Sequence, residues 1–130
     1  MGCCVRELPV LSFIICGREQ EVLRAGLRAT AHLASGSITP DLTYGEHLLS
    51  VRPVGVSKWQ GVLAFCQARG LDASRVLAVG DGDNDIELLQ SAAIACAISD
   101  GCEALQRLAQ HQIRPAREGG WRAIMDLIGE

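Results

Sequence analysis

The chain has 130 residues, 48% hydrophobic and 21% charged, with a formal net charge of −3. This is a globular balance that excludes disorder driven by low hydrophobicity or high charge, and the length suits one domain, or a small domain plus a piece of another. Basic residues are scattered, which argues against a nucleic-acid or anionic-membrane surface. No apolar run is long enough to span a bilayer, and the start MGCCVRELPVLSFIIC lacks a secretory layout, so a soluble cytoplasmic protein is expected.

In chain order, PVLSFIICG (Pro9 to Gly17) is apolar, rich in β-branched and aromatic residues and closed by glycine, which predicts a buried strand. From Arg18 to about Leu33, Val22, Leu23, Gly26, Leu27 and Thr30 recur at helical spacing. Ser35 to Gly55 breaks into turn residues around two short alternating runs, a pair of strands. Residues 1–54 therefore read β-α-β-β.

After Pro53 and Gly55 the rhythm becomes that of a layered α/β protein. A helix is predicted from about Ser57 to Arg69, stopped by Gly70, then a strand Val76 to Gly80 and a helix Asp85 to Ala92. A strand Ala93 to Ile98, a helix Cys102 to Gln110, a short run near Ile113 and a helix Trp121 to Ile128 complete the chain. Apolar strands alternating with helices predict a parallel sheet covered on both faces.

Six cysteines (Cys3, Cys4, Cys16, Cys66, Cys96, Cys102) include no CxxC pair, and four lie in or beside apolar segments, so buried free thiols are expected rather than a disulfide framework. Cys3 and Cys4 follow Met1-Gly2 as in a lipidation signal, but Arg6 stands where N-myristoylation wants Ser or Thr. His32, His47 and His111 are too dispersed in sequence to suggest zinc.

The chemistry concentrates in GDGDND, Gly80 to Asp85. Ligands of open α/β sheets collect at the carboxyl ends of strands. Asp81 stands at such an end with Asp85 a turn later, a pair suited to Mg2+, which takes one or two carboxylates and keeps waters and phosphate oxygens. Helix capping explains one or two of the four polar residues, but three acids packed without a counter-ion repel one another. A calcium EF-hand loop fails because Ile86 falls where glycine is needed and Ala92 where the bidentate Glu belongs. The second feature is the only lysine, Lys58, among eleven arginines. At a helix start the macrodipole disfavours a cation by ~0.3–1 kcal/mol. An anionic phosphate reverses that cost, and a solvated surface lysine is the alternative.

VSK (Val56 to Lys58) followed by GDGDNDIELL (Gly80 to Leu89), 23 residues from lysine to first aspartate, resembles the C-terminal part of the haloacid dehalogenase superfamily, specifically its Cof-type sugar-phosphate phosphatases. The resemblance runs from about Val54 to the C-terminus. It implies an α/β fold: the C-terminal half of a Rossmann-like parallel sheet with helices on both faces (residues 55–130), preceded by a remnant of an α+β cap domain (1–54). It implies a Mg2+-dependent phosphatase of phosphorylated sugars or similar small metabolites. By the same resemblance Lys58 is expected to contact the transferring phosphoryl group, Asp81 to hold Mg2+ with Asp85 a supporting acid near the metal, and Asn84 to contact the substrate phosphate. Trp59 departs from the glycine often found after the lysine. The family's opening strand ending in DxDxT, with the attacking aspartate, has no counterpart among the fifteen acids, and the second motif, a strand ending in Ser or Thr, has none either. The chain is thus expected to be a C-terminal portion (truncated, mis-started or one half of a split protein), inactive by itself. Its sheet is expected to have an unpaired edge or gap beside the Val76 strand, open to a second copy or a complementing chain. A non-catalytic domain serving self-association or partner binding is the rival reading.

Overall fold

The structure, a computed structural model, describes residues 12–41 and 45–128. The chain divides into two compact units, Met1–Val56 and Ser57–Glu130. No helix among the described residues is long and apolar enough to cross a membrane.

In the first unit, β1 (Phe13–Gly17), α1 (Gln20–Thr30), β2 (Ala34–Asp41) and β3 (Glu46–Pro53) follow the β-α-β-β order predicted. Pro9 to Leu11, the start of the predicted first strand, lie outside the described residues, as do Cys3 and Cys4. The sheet is antiparallel with order β1-β3-β2. Leu23 and Leu27 of α1 pack on one face, and two glycines let the helix approach. A Cβ on Gly36 would lie 2.7 Å from both Leu27 and the Ser50 carbonyl oxygen, and one on Gly17 would lie 3.2 Å from Leu23. Among the described residues of this unit, Leu23 and Leu49 are the buried apolar ones.

The second unit begins with α2 (Lys58–Arg69). Its N-cap Ser57 accepts from the Gln60 amide at 3.2 Å, and its C-cap Gly70 sits at φ 64°, where a Cβ is disfavoured. A 3-10 turn (Ala73–Arg75) leads to β4 (Leu77–Gly80), and a second (Asp83–Asp85) leads to α3 (Ile86–Ser91). Then come β5 (Ile94–Ile98), α4 (Glu103–Leu108), β6 (His111–Ile113), a 3-10 turn (Ala116–Glu118) and α5 (Arg122–Ile128). The strands form a parallel sheet, β4-β5-β6, with Ala78 opposite Ala95 and Ile98 opposite Ile113. On one face Ala78, Ala95 and Ala97 pack under Leu89 of α3 and Leu105 of α4. Small strand residues let the helices sit close, and each fully buried leucine contributes about 1.5–3 kcal/mol. Among the described residues β4 has a neighbour on one side only, the open edge expected beside that strand.

The cysteine expectation needs one correction. The thiols of Cys66 and Cys96 are buried and free, and Cys102 is half-buried, but Cys16 is exposed. It lies on β1, an edge strand, so an apolar neighbourhood in sequence did not become a buried one in space.

Candidate active site

Strand β4 delivers the GDGDND segment to the carboxyl end of the parallel sheet. Gly80 ends the strand buried, and the chain turns back through Asp83–Asp85 into α3. Asp85 is the buried charged residue of the described chain, 4% exposed. Its Oδ2 accepts from the backbone amides of Asp81 at 3.2 Å and Gly82 at 3.4 Å, and its Oδ1 accepts from the Lys58 ammonium. A buried carboxylate must be paired and hydrogen-bonded to be tolerated, and here a cation and two amides meet that requirement.

The seat for Asp85 depends on Gly80. A Cβ there would lie 2.5 Å from the Asp85 Cβ and 2.9 Å from its Cγ. Asp81 is clamped from the other side: its carbonyl accepts from the Cys102 amide at 2.8 Å, and a Cβ on Gly101 would lie 2.7 Å from that same oxygen. The lysine is anchored as firmly. Ser57, immediately before it, caps α2 and donates its hydroxyl to Glu87 Oε1 of α3 at 2.7 Å. Lys58 remains about half exposed, and of its three N–H donors only the one toward Asp85 is used among the described residues.

Lys58, Asp81 and Asp85, 23 and 27 residues apart along the chain, are thus brought into one hydrogen-bonded group. Asp81 is exposed, and no described residue bonds its carboxylate. Asn84 is half-buried in the 3-10 turn, its Oδ1 packed 2.8 Å from where a Gly82 Cβ would stand. Asp83 points elsewhere, to Cys102: burial first, then the Asp83 carboxylate, push that thiol above its ordinary value against the lowering pull of the Leu105 amide. Among the described residues no three His, Cys, Asp or Glu side chains converge as a ligand set. The predicted mutual repulsion of three acids is eased by the Lys58 ammonium, which pairs with Asp85.

Sequence reasoning missed Ser57, Glu87 and Gly101. For Ser57 a signal existed, since Ser-x-x-Gln at Ser57–Gln60 is a capping pattern. The Ser57–Glu87 bond and the approach of Gly101 to Asp81 are tertiary and leave no local signature.

An α/β unit that presents a lysine and an acidic turn at the carboxyl end of a parallel sheet defines the class. The chain belongs to the haloacid dehalogenase-like hydrolase family, whose model matches residues 10–124, and the resemblance read from VSK and GDGDNDIELL, Cof type included, is borne out. A phosphoglycolate phosphatase of Methanopyrus kandleri is 39% identical over 69 residues, 53% of this chain and 28% of that protein. A haloacid dehalogenase-like hydrolase from B. subtilis superposes with a TM-score of 0.76 at 20% identity, over 95% of this chain and 43% of that one. A subclass IIB sugar phosphatase does so with 0.72 at 23%, over 90% and 43%. These two share the fold. The chain spans less than a third of the first relative's length and less than half of either structure.

Proposed function

We propose that the chain carries one half of the site of a Mg2+-dependent phosphatase acting on phosphorylated sugars or similar small metabolites. The observation that carries this reading is the bond from the lone lysine to Asp85, whose other oxygen holds the Asp81 amide. The similar proteins, a phosphoglycolate phosphatase and a sugar phosphatase, support a small phosphomonoester as the substrate class. The first unit is read as part of a cap.

Asp81 fits a hard divalent cation: it is an exposed carboxylate at a strand end, unclaimed by any described residue and fixed through its amide and carbonyl. Asp85 has both oxygens committed to protein donors, so it supports the ion through its charge and its grip on Asp81. Bound Mg2+ supplies charge neutralisation at phosphate oxygens. The chain's own residues orient the ester. Lys58, its helix start tied to α3 and its amine held by Asp85, offers two further donors to phosphoryl oxygens, and Asn84 offers its amide. In-line attack on phosphorus needs a nucleophile positioned together with these groups. The resemblance places it in a DxDxT segment absent from this sequence, so the isolated chain hydrolyses little.

The test is turnover of phosphoglycolate and p-nitrophenyl phosphate with and without Mg2+, alongside thermal unfolding with inorganic phosphate plus Mg2+. Any Mg2+-dependent turnover should fall at least ~100-fold in Asp81→Ala and in Lys58→Ala. Phosphate should raise the melting temperature of the native chain but not of Lys58→Ala. Metal-dependent turnover untouched by Asp81→Ala, or phosphate stabilisation untouched by Lys58→Ala, refutes the site.

A further inference from the structure

Lys58 stands where its own helix is scarcely buried. The chain enters α2 from an exposed turn, Val54 to Val56, with Gly55 at φ 82°. Lys58, Gln60 and Gly61 are exposed, and Cys66, the buried residue of α2, lies more than two turns further on. Packing therefore leaves the helix start loosely specified, and discrete bonds fix it. Lys58 donates to Asp85 Oδ1, and Ser57 before it donates to Glu87 Oε1 at 2.7 Å while accepting from the Gln60 amide. Two consecutive residues are thus held by two acids two positions apart on the segment that opens α3. One bond fixes a point and leaves rotation about it, whereas two fix a direction. The Ser57–Glu87 bond is needed by neither helix for its own sake. Ser57 caps α2 as an acceptor, which leaves its proton free to go elsewhere, and Glu87, exposed in the first turn of α3, suits that helix's dipole without any partner.

We infer that Glu87 is a positioning residue: by accepting the Ser57 hydroxyl it sets the direction in which α2 delivers the Lys58 ammonium. For the lysine the inference rests on these hydrogen bonds alone, and for phosphate it rests also on the site proposed above. Its sign separates it from plain electrostatics. An acid close to the seat of an anion repels that anion, so removing the charge of Glu87 would by itself tighten phosphate binding. A positioning role runs the other way, because a lysine released from its direction is misplaced for the phosphoryl oxygens, and displacements of the order of ~1 Å are costly in such sites. What Ser57 requires is an acceptor and not a charge. Glu87→Gln keeps a carbonyl oxygen for the hydroxyl, and Glu87→Ala removes it.

The test uses the full chain carrying 13C-labelled lysine, with far-UV circular dichroism as the folding control. Lys58 is the only lysine, so one side-chain signal set reports on it. Without ligand, its two ε protons should be inequivalent in the wild-type chain and in Glu87→Gln, as in a held side chain, and should average together in Glu87→Ala. Titration with inorganic phosphate plus Mg2+ should then give an affinity reduced roughly 3–10-fold in Glu87→Ala and preserved or raised in Glu87→Gln. Should Glu87→Ala lose the native spectrum, Ser57→Gly decides: it removes the hydroxyl from an N-cap position that tolerates glycine, and it should release the lysine in the same way. Averaged ε protons in the wild-type chain overturn the inference, and so does a lysine signal unchanged in Glu87→Ala or in a folded Ser57→Gly. Phosphate binding that tightens in Glu87→Ala, or Glu87→Gln behaving like Glu87→Ala, overturns it too. If phosphate binds Lys58→Ala as well as the wild-type chain, the proposed site fails instead, and the ligand-free lysine signal alone decides the role of Glu87.

Discussion

Asp85 and Asp81 differ by four positions and divide the work of the turn. Asp85 is buried and triply hydrogen-bonded, and Asp81 is exposed with an unclaimed carboxylate. Asp85→Ala leaves two amides and an ammonium without their acceptor and should cost about 1–3 kcal/mol in urea unfolding. Asp81→Ala should stay within ~0.5 kcal/mol of wild type. Equal losses at the two positions contradict the division. Gly80→Ala drives a Cβ into Asp85 and should cost about 1–3 kcal/mol, measured the same way. The thiols add a pH dependence. Burial raises Cys96, and burial with Asp83 raises Cys102, above the ordinary thiol value of 9.0. A raised folded-state value means that the stabilisation is complete below the unfolded value and is lost as pH climbs toward the folded one. Stability should therefore decline above about pH 9, and Cys96→Ser should flatten that decline in a pH series of urea melts. At this scale the sequence revealed Lys58 and the acid turn because both are compositional oddities, a single lysine and three acids in five residues. It hid the destination of Asp85, which is fixed by what lies opposite in space, the Lys58 ammonium.

Helix and strand periods were legible because each element buries one face or stripe. Element ends were less so. The predicted helix from Asp85 to Ala92 is a 3-10 turn over Asp83–Asp85 followed by α3 from Ile86, because Asp85 turns inward to its donors instead of capping outward. The helix predicted from Cys102 to Gln110 shortens to Glu103–Leu108, and Gln110 instead accepts the Ala95 amide at 2.6 Å, serving β5 with its side chain. α2 offers an element-scale prediction. Gly61 lies inside the helix, and a Cβ there meets nothing within 4 Å. Gly61→Ala should stabilise the chain by about 0.5–1 kcal/mol through helix propensity alone, read as a higher urea midpoint with an unchanged slope. A loss of stability would mean that α2 packs more closely at that point than the structure shows.

For the whole molecule, the alternation of apolar strands and helices after Gly55 identified the α/β unit, and the lysine-to-aspartate spacing identified its family. What no local pattern revealed was how bare β1 would be: Pro9 to Gly17 has the composition of a buried strand, yet Phe13, Ile14 and Ile15 stand open. Burial depends on what pairs with an edge, and periodicity within one chain does not encode a partner. The open edges of both sheets and the half-used donors of Lys58 have a common character, groups positioned for something that the described residues do not supply. The central claim is that Lys58, Asp81 and Asp85 form one phosphate-and-metal site. The most direct measurement is a 15N NMR titration of the full chain with Mg2+ and then inorganic phosphate. The account predicts Mg2+-dependent shifts concentrated at the amides of Gly80 to Asp85 and abolished by Asp81→Ala, with phosphate shifts at the start of α2 abolished by Lys58→Ala. Shifts scattered over the surface acids, or preserved in both variants, would contradict it.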